Sequence, residues 1–336
     1  MRRASTVATI LVGIIQYCLV TGAEAVTTEC PKFSKQAITK PLKGTDRLAT
    51  FEGGAVAMVG GLLVDADGAA TAYHPKGDGI DTLCNGVAPY INGKCVAFKN
   101  GKTDKLCYQT VEKAQKANWV RASSPPMCIF GFEVPSNPWG GTYGNGELEV
   151  QGPTEPAPGF FRSTTAFSLN PKKWETWRQY VNADVIPYVA VPTKFTAERK
   201  LALKGGAAVV VELNSQREVL AIVGDTKKED RLGEVSIAVA QLLQHPELKD
   251  PVPLTTKQLE TKEGIEPPYK VKDGVVRAIV NPNNGPYMIF TFGAKAGLVE
   301  SLELSAVRQF AGEAVAKFGG REHLVECARR FFESTK

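Results

Sequence analysis

The chain has 336 residues, of which 43% are hydrophobic and 22% charged, and its formal net charge is +5. This length can bury a full hydrophobic core, either as one large domain or as one domain with an extension. The mild positive charge comes without a basic cluster interleaved with aromatic residues, so the composition argues against a nucleic-acid-binding protein.

The N-terminus has the pattern of a secretory signal peptide. Arg2 and Arg3 are followed by a mostly apolar run over Val7–Val20, and Ala23-Glu24-Ala25 has the small-x-small form of a cleavage site. The run is short and interrupted for a transmembrane helix, although an uncleaved anchor is the alternative. We therefore expect residues 1–25 to be removed and the protein to be secreted or periplasmic, without stable membrane insertion.

Cysteine usage also indicates an exported protein. Six cysteines follow the predicted signal peptide: Cys30, Cys84, Cys95, Cys107, Cys128 and Cys327. An even number in an exported chain favours disulfides. Four of them lie close together, which makes two local bridges plausible, and Cys30 with Cys327 would then tie the termini; the sequence alone does not choose among the pairings. Because no Cys-x-x-Cys is present, zinc is disfavoured, and we expect no metal and no cofactor.

The first half of the mature chain is rich in turn signals. We interpret residues 26–50 as an irregular N-terminal arm and residues 51–75 as short strands and turns. Residues 82–150 are rich in Gly, Asn, Pro and Cys, which predicts a loop-heavy, disulfide-linked insertion. Phe160–Ser168 is predicted to be a strand.

The second half contains β-branched runs and then a helical pattern. Ala207–Leu213 and Val219–Val223 flank a polar turn and predict a hairpin. Val275–Val280 and Tyr287–Phe292 predict a second pair of strands. From Leu298 to Phe332 the apolar spacing is helical, with a break at Gly319-Gly320.

Together these elements predict a mainly β fold with peripheral helices, built on a β-barrel core. No alternating βαβ pattern and no Gly-rich phosphate loop is present, which argues against nucleotide-dependent enzymes. We assign residues 51–297 to a catalytic domain and residues 298–336 to a helical C-terminal extension.

Asp225 and Glu234 are the most informative residues of the chain. An apolar strand runs into Asp225, and Glu234 precedes an amphipathic pattern formed by Val235, Ala238 and Val239. The pattern predicts Asp225 at a strand end and Glu234 in the first turn of a helix. Paired carboxylates in such places suit general acid/base chemistry, above all cleavage of glycosidic bonds. The alternative is that Asp225 ends a strand and Glu234 complements the helix dipole.

Three further clusters precede this pair in a characteristic order. They are Val64-Asp65-Ala66-Asp67-Gly68 with Tyr73-His74-Pro75 and Gly79-Ile80-Asp81, then Pro158-Gly159-Phe160-Phe161-Arg162-Ser163-Thr164-Thr165, then Asn182-Ala183-Asp184-Val185-Ile186-Pro187-Tyr188-Val189-Ala190-Val191-Pro192. In this order, from about residue 60 to residue 293, the chain resembles the chitosanases of glycoside hydrolase family 75. The turn at Asp225-Thr226 also resembles that of double-psi β-barrel proteins that cleave glycans, so we expect a double-psi-like barrel.

The resemblance implies an endo-acting hydrolase of β-1,4-linked glucosamine polymers (chitosan), which inverts the anomeric centre without a metal, with Asp225 and Glu234 as the catalytic pair. We interpret Asp225 as the acid, because burial at a strand end raises the pKa of a carboxyl. Glu234 would be the base, because a helix dipole favours its ionised form. Lys227, Lys228 and Arg231 in the loop between them could lower the pKa of either.

We also name candidate substrate-binding residues. A cationic polymer needs acidic subsites, and the acidic candidates are Asp65, Asp67, Asp81 and Asp184. Tyr73 could stack on or hydrogen-bond a sugar, and the hydroxyls of Ser163 and Thr164 could donate to sugar oxygens. Each of these residues could instead be a turn or core residue. The alternative functions are hydrolysis of another amino-sugar glycan, such as peptidoglycan, and glycan binding without catalysis in the cell envelope.

Overall fold

A computed structural model describes residues 30, 33–36, 47–51, 55–96, 101–134, 141–142, 148, 150–169, 180–193, 204–227, 233–279, 285–293 and 296–333. The predicted signal peptide over residues 1–25 lies outside them. The described residues form fifteen strands: β1 (Phe33–Gln36), β2 (Arg47–Phe51), β3 (Val56–Gly60), β4 (Leu63–Asp65), β5 (Val87–Ile91), β6 (Lys94–Cys95), β7 (Met127–Ile129), β8 (Gly141–Thr142), β9 (Tyr188–Pro192), β10 (Ala207–Glu212), β11 (Arg217–Lys227), β12 (Glu234–Ser236), β13 (Tyr269–Lys272), β14 (Val275–Ala278) and β15 (Tyr287–Thr291).

The same residues form six helices: α1 (Leu83–Gly86), α2 (Gly101–Lys116), α3 (Ile237–Gln244), α4 (Thr256–Thr261), α5 (Leu304–Lys317) and α6 (Arg321–Glu333). None of these helices combines the length and the apolar character that a membrane-spanning segment requires.

The largest sheet has nine strands in the order β1-β2-β3-β15-β10-β11-β9-β12-β4. The pairs β9–β11 and β4–β12 are parallel, and the other pairs are antiparallel. The predicted hairpin is confirmed as β10 and β11, in which Ala207 faces Ile222. The fold is therefore mainly β with a mixed sheet and peripheral helices.

One face of this sheet builds a single apolar core. Because successive side chains of a strand point to opposite faces, every second residue of β3, β9, β10, β11, β12 and β15 enters one cluster. This cluster contains Val56, Met58, Val189, Val191, Ala208, Val210, Val219, Ala221, Val223, Val235, Tyr287 and Ile289, together with Val239 and Leu243 of α3.

The opposite face of the sheet has two separate covers. Helices α5 and α6 pack on the outer residues of β3, β10 and β15, where Val209, Phe290 and Phe331 share a cluster. The predicted helical tail is thus confirmed, and its break falls between the two helices at Gly319-Gly320. The segments around residues 66–87, 127–134, 157–167 and 181–186 cover the outer residues of β9 and β11, among them Tyr188 and Ile222.

Several predicted elements differ in the structure. Part of the expected irregular arm forms β1 and β2, which pair with each other at the edge of the large sheet. Phe160–Ser168 makes only isolated bridges rather than a strand, because its buried residues bond to scattered loops. The strands at 275–280 and 287–292 both exist but do not pair with each other: β14 pairs with β13, and β15 with β3 and β10.

The cysteine-rich segment is more regular than its composition suggests. It contains α2 and a small sheet with the strand order β6-β5-β7-β8. Disulfides join Cys84 to Cys107 and Cys95 to Cys128, so both local bridges lie within this segment. A third disulfide joins Cys30 to Cys327. The expected local bridges and the expected link between the two ends are therefore all present.

Candidate functional site

Asp225 and Glu234 lie on either side of one strand. In the register of the sheet, Asp225 of β11 is opposite Ala190 of β9, and Glu234 of β12 is opposite the same Ala190. Neighbouring strands are about 4.8 Å apart, so the two Cα atoms are about 10 Å apart. Residues opposite one another point to the same face, and both carboxylates therefore leave the outer face of the sheet.

A β-bulge at Gly224 directs Asp225 to this face. The register of β11 shifts between Val223 and Asp225, so Asp225 lies on the side of Ile222 instead of the core side of Val223. A Cβ at Gly224 would lie 2.6 Å from the Cβ of Tyr188, so only glycine fits there. Bulges commonly re-aim a side chain next to an active site, and here the bulge turns the carboxylate outward.

Asp225 is nearly buried and hydrogen-bonded. The residue as a whole is only 7% exposed to solvent. Its Oδ1 accepts from the backbone N–H of Thr226 at 2.6 Å and of Ala166 at 3.0 Å. Burial raises the pKa of Asp225 to about 7, although these two N–H groups act in the opposite direction. A carboxyl of this kind is a proton donor near neutral pH.

Asp65 and Asp67 lie beside Asp225. The Oδ1 of Asp65 accepts from the N–H of Asp67 at 2.9 Å. Burial raises the pKa of Asp65 well above its usual value, and the neighbouring Asp67 adds to the effect. Burial likewise raises the pKa of Asp67, with the charge of Asp225 as the next cause. Together the three carboxyls therefore carry fewer than three negative charges.

Two buried tyrosines hold Asp67 in place. The hydroxyl of Tyr73 donates to Oδ1 of Asp67 at 2.5 Å, and the hydroxyl of Tyr188 donates to its backbone carbonyl at 2.7 Å. Both rings are fully buried, so Tyr73 supports a carboxylate and has no ring face free for a sugar. Tyr188 was not among the residues predicted for the site, although the alternation of Tyr188 and Ala190 with Val189 and Val191 could have placed it on the face of Ala190.

Asp81 lies at the edge of the same cluster. Its two carboxylate oxygens accept from the N–H of Thr82 at 2.6 Å and from the side-chain amide of Asn85 at 2.7 Å. Burial raises the pKa of Asp81, and its charge in turn raises that of Asp67. Asp67, Asp81 and Glu234 are all partly exposed, so the cluster opens to solvent.

Glu234 differs from its predicted position. It is the first residue of β12 and not part of a helix. Helix α3 begins only at Ile237, where the Oγ of Ser236 accepts from the N–H of Val239 and caps it. The helix-dipole argument for an ionised Glu234 is therefore wrong. Its Oε1 accepts instead from the ammonium of Lys227, at 2.5 Å.

Ser163 and Thr164 have structural contacts. The Oγ of Ser163 accepts from the N–H of Gly68 at 2.8 Å and donates to the carbonyl of Gly131 at 3.1 Å. Thr164 donates to the carbonyl of Phe130 at 3.4 Å. Both residues are buried, so Ser163 fixes the turn that follows Asp67 and neither hydroxyl is placed to contact a sugar.

Asp184 lies apart from the other carboxylates. It is 2% exposed, and its Oδ1 accepts from the hydroxyl of Tyr269 at 2.7 Å. Burial raises its pKa to about 6. Burial and this hydrogen bond are what act on its pKa, and none of the carboxyls around Asp225 is among the causes, so the structure does not bring Asp184 into that cluster.

Asp65, Asp67 and Asp225 could in principle bridge a cation. Each offers one carboxylate oxygen, and the three oxygens lie within 4.8 Å of one another. Burial raises the pKa of all three, and a proton held between neighbouring carboxyls offsets their mutual repulsion where no ion is bound. A cavity of about 490 Å³ nearby is lined by His74, Asp78 and Phe160 among others, and by none of these carboxylates.

Comparison with known proteins adds no assignment. No protein-family model matches the chain, and no curated protein matches it at a significant level.

Proposed function

We propose that the protein is a glycoside hydrolase that cleaves β-1,4-linked glucosamine polymers with inversion, as its resemblance to the family 75 chitosanases implies. The observation that carries the proposal is the arrangement of Asp225 and Glu234 on the same face on either side of Ala190. Inverting enzymes need two carboxyl groups about 6.5–9.5 Å apart, so that a water fits between the base and the sugar. Two side chains that leave one face from Cα atoms about 10 Å apart can meet that requirement.

In this proposal Asp225 is the general acid. Its pKa of about 7, raised by burial, keeps the carboxyl protonated at the mildly acidic pH where chitosan is charged and soluble. The proton passes from Asp225 to the glycosidic oxygen as the bond to the anomeric carbon breaks. Two backbone N–H groups at its Oδ1 then stabilise the carboxylate that remains.

Glu234 is the general base in the same reaction. It takes a proton from the water that attacks the anomeric carbon from the opposite side of the sugar ring, and the new hydroxyl therefore has the inverted configuration. A paired ammonium, that of Lys227, supports the ionised form that a base requires.

The charge of the site suits a polyamine substrate. The whole chain is basic, yet Asp65, Asp67 and Asp81 gather around the catalytic pair. Burial raises the pKa of these carboxyls, but an ammonium group of the substrate placed beside them would favour their ionised forms. The site can therefore pair with protonated amines even though the net charge of the protein is positive. We infer that these three side chains contact the substrate or contribute to the electrostatic field around it. Asp184, Ser163 and Thr164 instead support the surrounding structure.

We further infer that the large sheet closes into a barrel, of the double-psi type that the resemblance implies. Strands β3 and β4 stand six places apart in the strand order, and only Gly61 and Leu62 separate them in the chain. Six strand spacings in a flat sheet would be about 29 Å, which two residues cannot bridge. The single apolar cluster on one face supports the same conclusion.

We also infer that the protein works outside the cytoplasm, in the medium or the periplasm. Its N-terminal sequence has the pattern of a signal peptide. Three disulfides are typical of oxidising compartments.

The test is the release of reducing ends from chitosan, chitin and peptidoglycan by the purified mature chain at about pH 5.5. Chitosan cleavage is expected, and proton NMR of the first products should show the α-anomer. Cleavage of peptidoglycan alone would assign the site to another amino-sugar glycan. Glycan binding without cleavage of any of the three would contradict an enzymatic function and favour a binding protein.

A further inference from the structure

Lys227 lies next to the proposed catalytic pair, and its backbone and side chain both have partners. It is the last residue of β11, two residues after Asp225, and its Cα lies opposite Pro192 of β9. Its backbone carbonyl accepts from the hydroxyl of Thr193 at 3.0 Å. The backbone of Lys227 is thus held by the end of β9 and by the residue that follows it, and its side chain starts on the same face as Asp225.

The side chain of Lys227 crosses β9 to reach Glu234. Its Nζ lies 2.5 Å from Oε1 of Glu234, and the two side chains are only 18% and 21% exposed. An ion pair at this depth is screened less than one on the open surface. The bond is made through Oε1, and Oε2 of Glu234 has no hydrogen-bond partner among the described residues.

Among the described residues, the other ionisable groups on which the charge of Glu234 acts are all acids. Its charge acts on the carboxyls of Asp65 and Asp67, on Asp81, on Asp225 and on the phenol of Tyr188. Carboxylates near one another favour the protonated form of each. A protonated Glu234 could not accept a proton from water. An adjacent cation favours the ionised carboxylate, which can.

We propose that Lys227 is a positioning residue for the hydrolysis: its ammonium holds Glu234 by Oε1, keeps it ionised among the surrounding carboxyls, and presents Oε2 to the attacking water. This inference rests on the proposed function. The sequence shows Lys227 only as one of several cations between Asp225 and Glu234, because the ion pair depends on a register between β11, β9 and β12 that the sequence does not display.

The first experiment compares the pH dependence of kcat/KM for chitosan in the unmodified protein, Lys227→Met and Lys227→Arg. The acidic limb of this profile reports the ionisation of the base. Loss of the adjacent cation is expected to move this limb upward by about one to three pH units. On that limb, kcat/KM would fall at least tenfold, and Lys227→Arg would restore most of it.

Lys204→Met is the matched control. Lys204 is an exposed lysine whose charge acts on Asp225, and its removal should leave the acidic limb in place. A Lys227→Met variant that loses kcat with an unmoved limb would overturn the proposal, since that result indicates a structural role. Circular dichroism and thermal unfolding of each variant exclude misfolding as the cause of a lower rate.

A second experiment is independent of turnover. The carboxyl carbon of Glu234, assigned by its disappearance in Glu234→Gln, is followed by carbon NMR as the pH changes. Its titration midpoint should be higher in Lys227→Met than in Lys227→Arg or the unmodified protein. An unmoved midpoint in a protein that does hydrolyse chitosan overturns the role of Lys227 alone, whereas failure of the unmodified protein to cleave any glycan overturns the proposed function and this role with it.

Discussion

The outer face of the large sheet has two halves with different covers. Over β3, β10 and β15 the cover is α5 and α6, and the contacts are aliphatic and aromatic, as at Phe290 and Phe331. Over β9, β11 and β12 the cover is a set of loops, and carboxylates such as Asp65 and Asp225 lie buried beneath them. One half of the same sheet is built for stability and the other carries ionisable groups.

The two halves differ in energetic cost. Burial of an apolar side chain such as Phe331 contributes about 1.5–3 kcal/mol to stability. Burial of a charged carboxylate costs several kcal/mol unless it is paired or protonated, which is why the carboxyls beneath the loops have raised pKa values. Groups that remain in so unfavourable a setting are typical of functional sites.

The largest effect is expected on the loop-covered half. Asp225→Asn and Glu234→Gln should each lower chitosan hydrolysis by about 10²- to 10⁴-fold, whereas glycan binding persists. Because the pKa of Asp225 is about 7, the acid loses its proton as the pH rises through 7, and activity of the unmodified protein should fall above that pH. Initial rates between pH 4 and 9 measure both effects.

Asp78→Asn is the control for these two variants. Asp78 is an exposed carboxylate three residues before Asp81, so its loss should change the rate by less than about twofold. An equal loss of rate in Asp78→Asn would show that general charge, and not the paired carboxylates, determines activity.

The helix-covered half should respond in stability alone. Phe331→Ala empties a fully buried position of α6 and is expected to lower the free energy of unfolding by about 3–5 kcal/mol. Urea denaturation measures this loss. The pH dependence of activity, measured on the folded protein, should be unchanged. Leu298→Ala, at a half-exposed leucine, should cost less than about 0.5 kcal/mol; a similar loss in both variants would contradict a well-packed cluster under α6.

Replacement of Asp184 tests whether ionisation of a buried carboxyl outside the cluster around Asp225 lowers the free energy of unfolding. Its pKa is raised to about 6 from 3.8, so the folded state binds the proton more tightly than the unfolded state. Its stabilising contribution is complete below pH 3.8 and is lost as the pH rises through 6, at a cost of about 3 kcal/mol. Asp184→Asn should therefore raise stability at pH 7–8 and change it little at pH 4.

Thermal unfolding of Asp184→Asn and of the unmodified protein at both pH values measures this difference. The comparison cancels the titration of the other carboxyls, because they are common to both proteins. A variant that is less stable than the unmodified protein at pH 8 would show that Asp184 is ionised at no cost.

The smallest effect is expected for Tyr188→Phe. The variant leaves the backbone carbonyl of Asp67 without the hydroxyl that donates to it at 2.7 Å, which should cost about 1–2 kcal/mol of stability. The rate on chitosan should fall by less than about tenfold, because Tyr73 still holds the carboxylate of Asp67. Tyr108→Phe, at an exposed ring, should match the unmodified protein in both measurements; a full loss of activity in Tyr188→Phe would instead place this phenol among the reacting groups.

Local patterns predicted much of the fold. The β-branched runs of β10 and β11 and the helical spacing around Gly319-Gly320 are properties of neighbouring residues, and both predictions are confirmed. The helix α2 was missed, although Cys107, Val111 and Ala114 have helical spacing and are buried. Glycine- and cysteine-rich neighbours concealed that signal.

Long-range pairing could not be predicted in the same way. Strand β12 has three residues, too few to display a period of two, and its partners β4 and β9 are distant in the chain. The sequence therefore placed Glu234 in a helix, although Ser236 is a good N-cap and marks the true start of α3. The proximity of Asp65, Asp67 and Asp225 follows from the same pairing and was visible only as separate acidic motifs.

The Cys30–Cys327 disulfide makes most of the chain a covalent loop, since the two cysteines are 297 positions apart in the sequence. A protease that cuts once anywhere inside this loop produces no free fragment: both pieces stay attached, and the packed core can hold them in place. Two cuts, or one cut with reduction, are needed before any piece can leave. Single nicks should therefore be visible on a reducing gel and invisible on a non-reducing one, a durability that would suit the proposed role outside the cytoplasm.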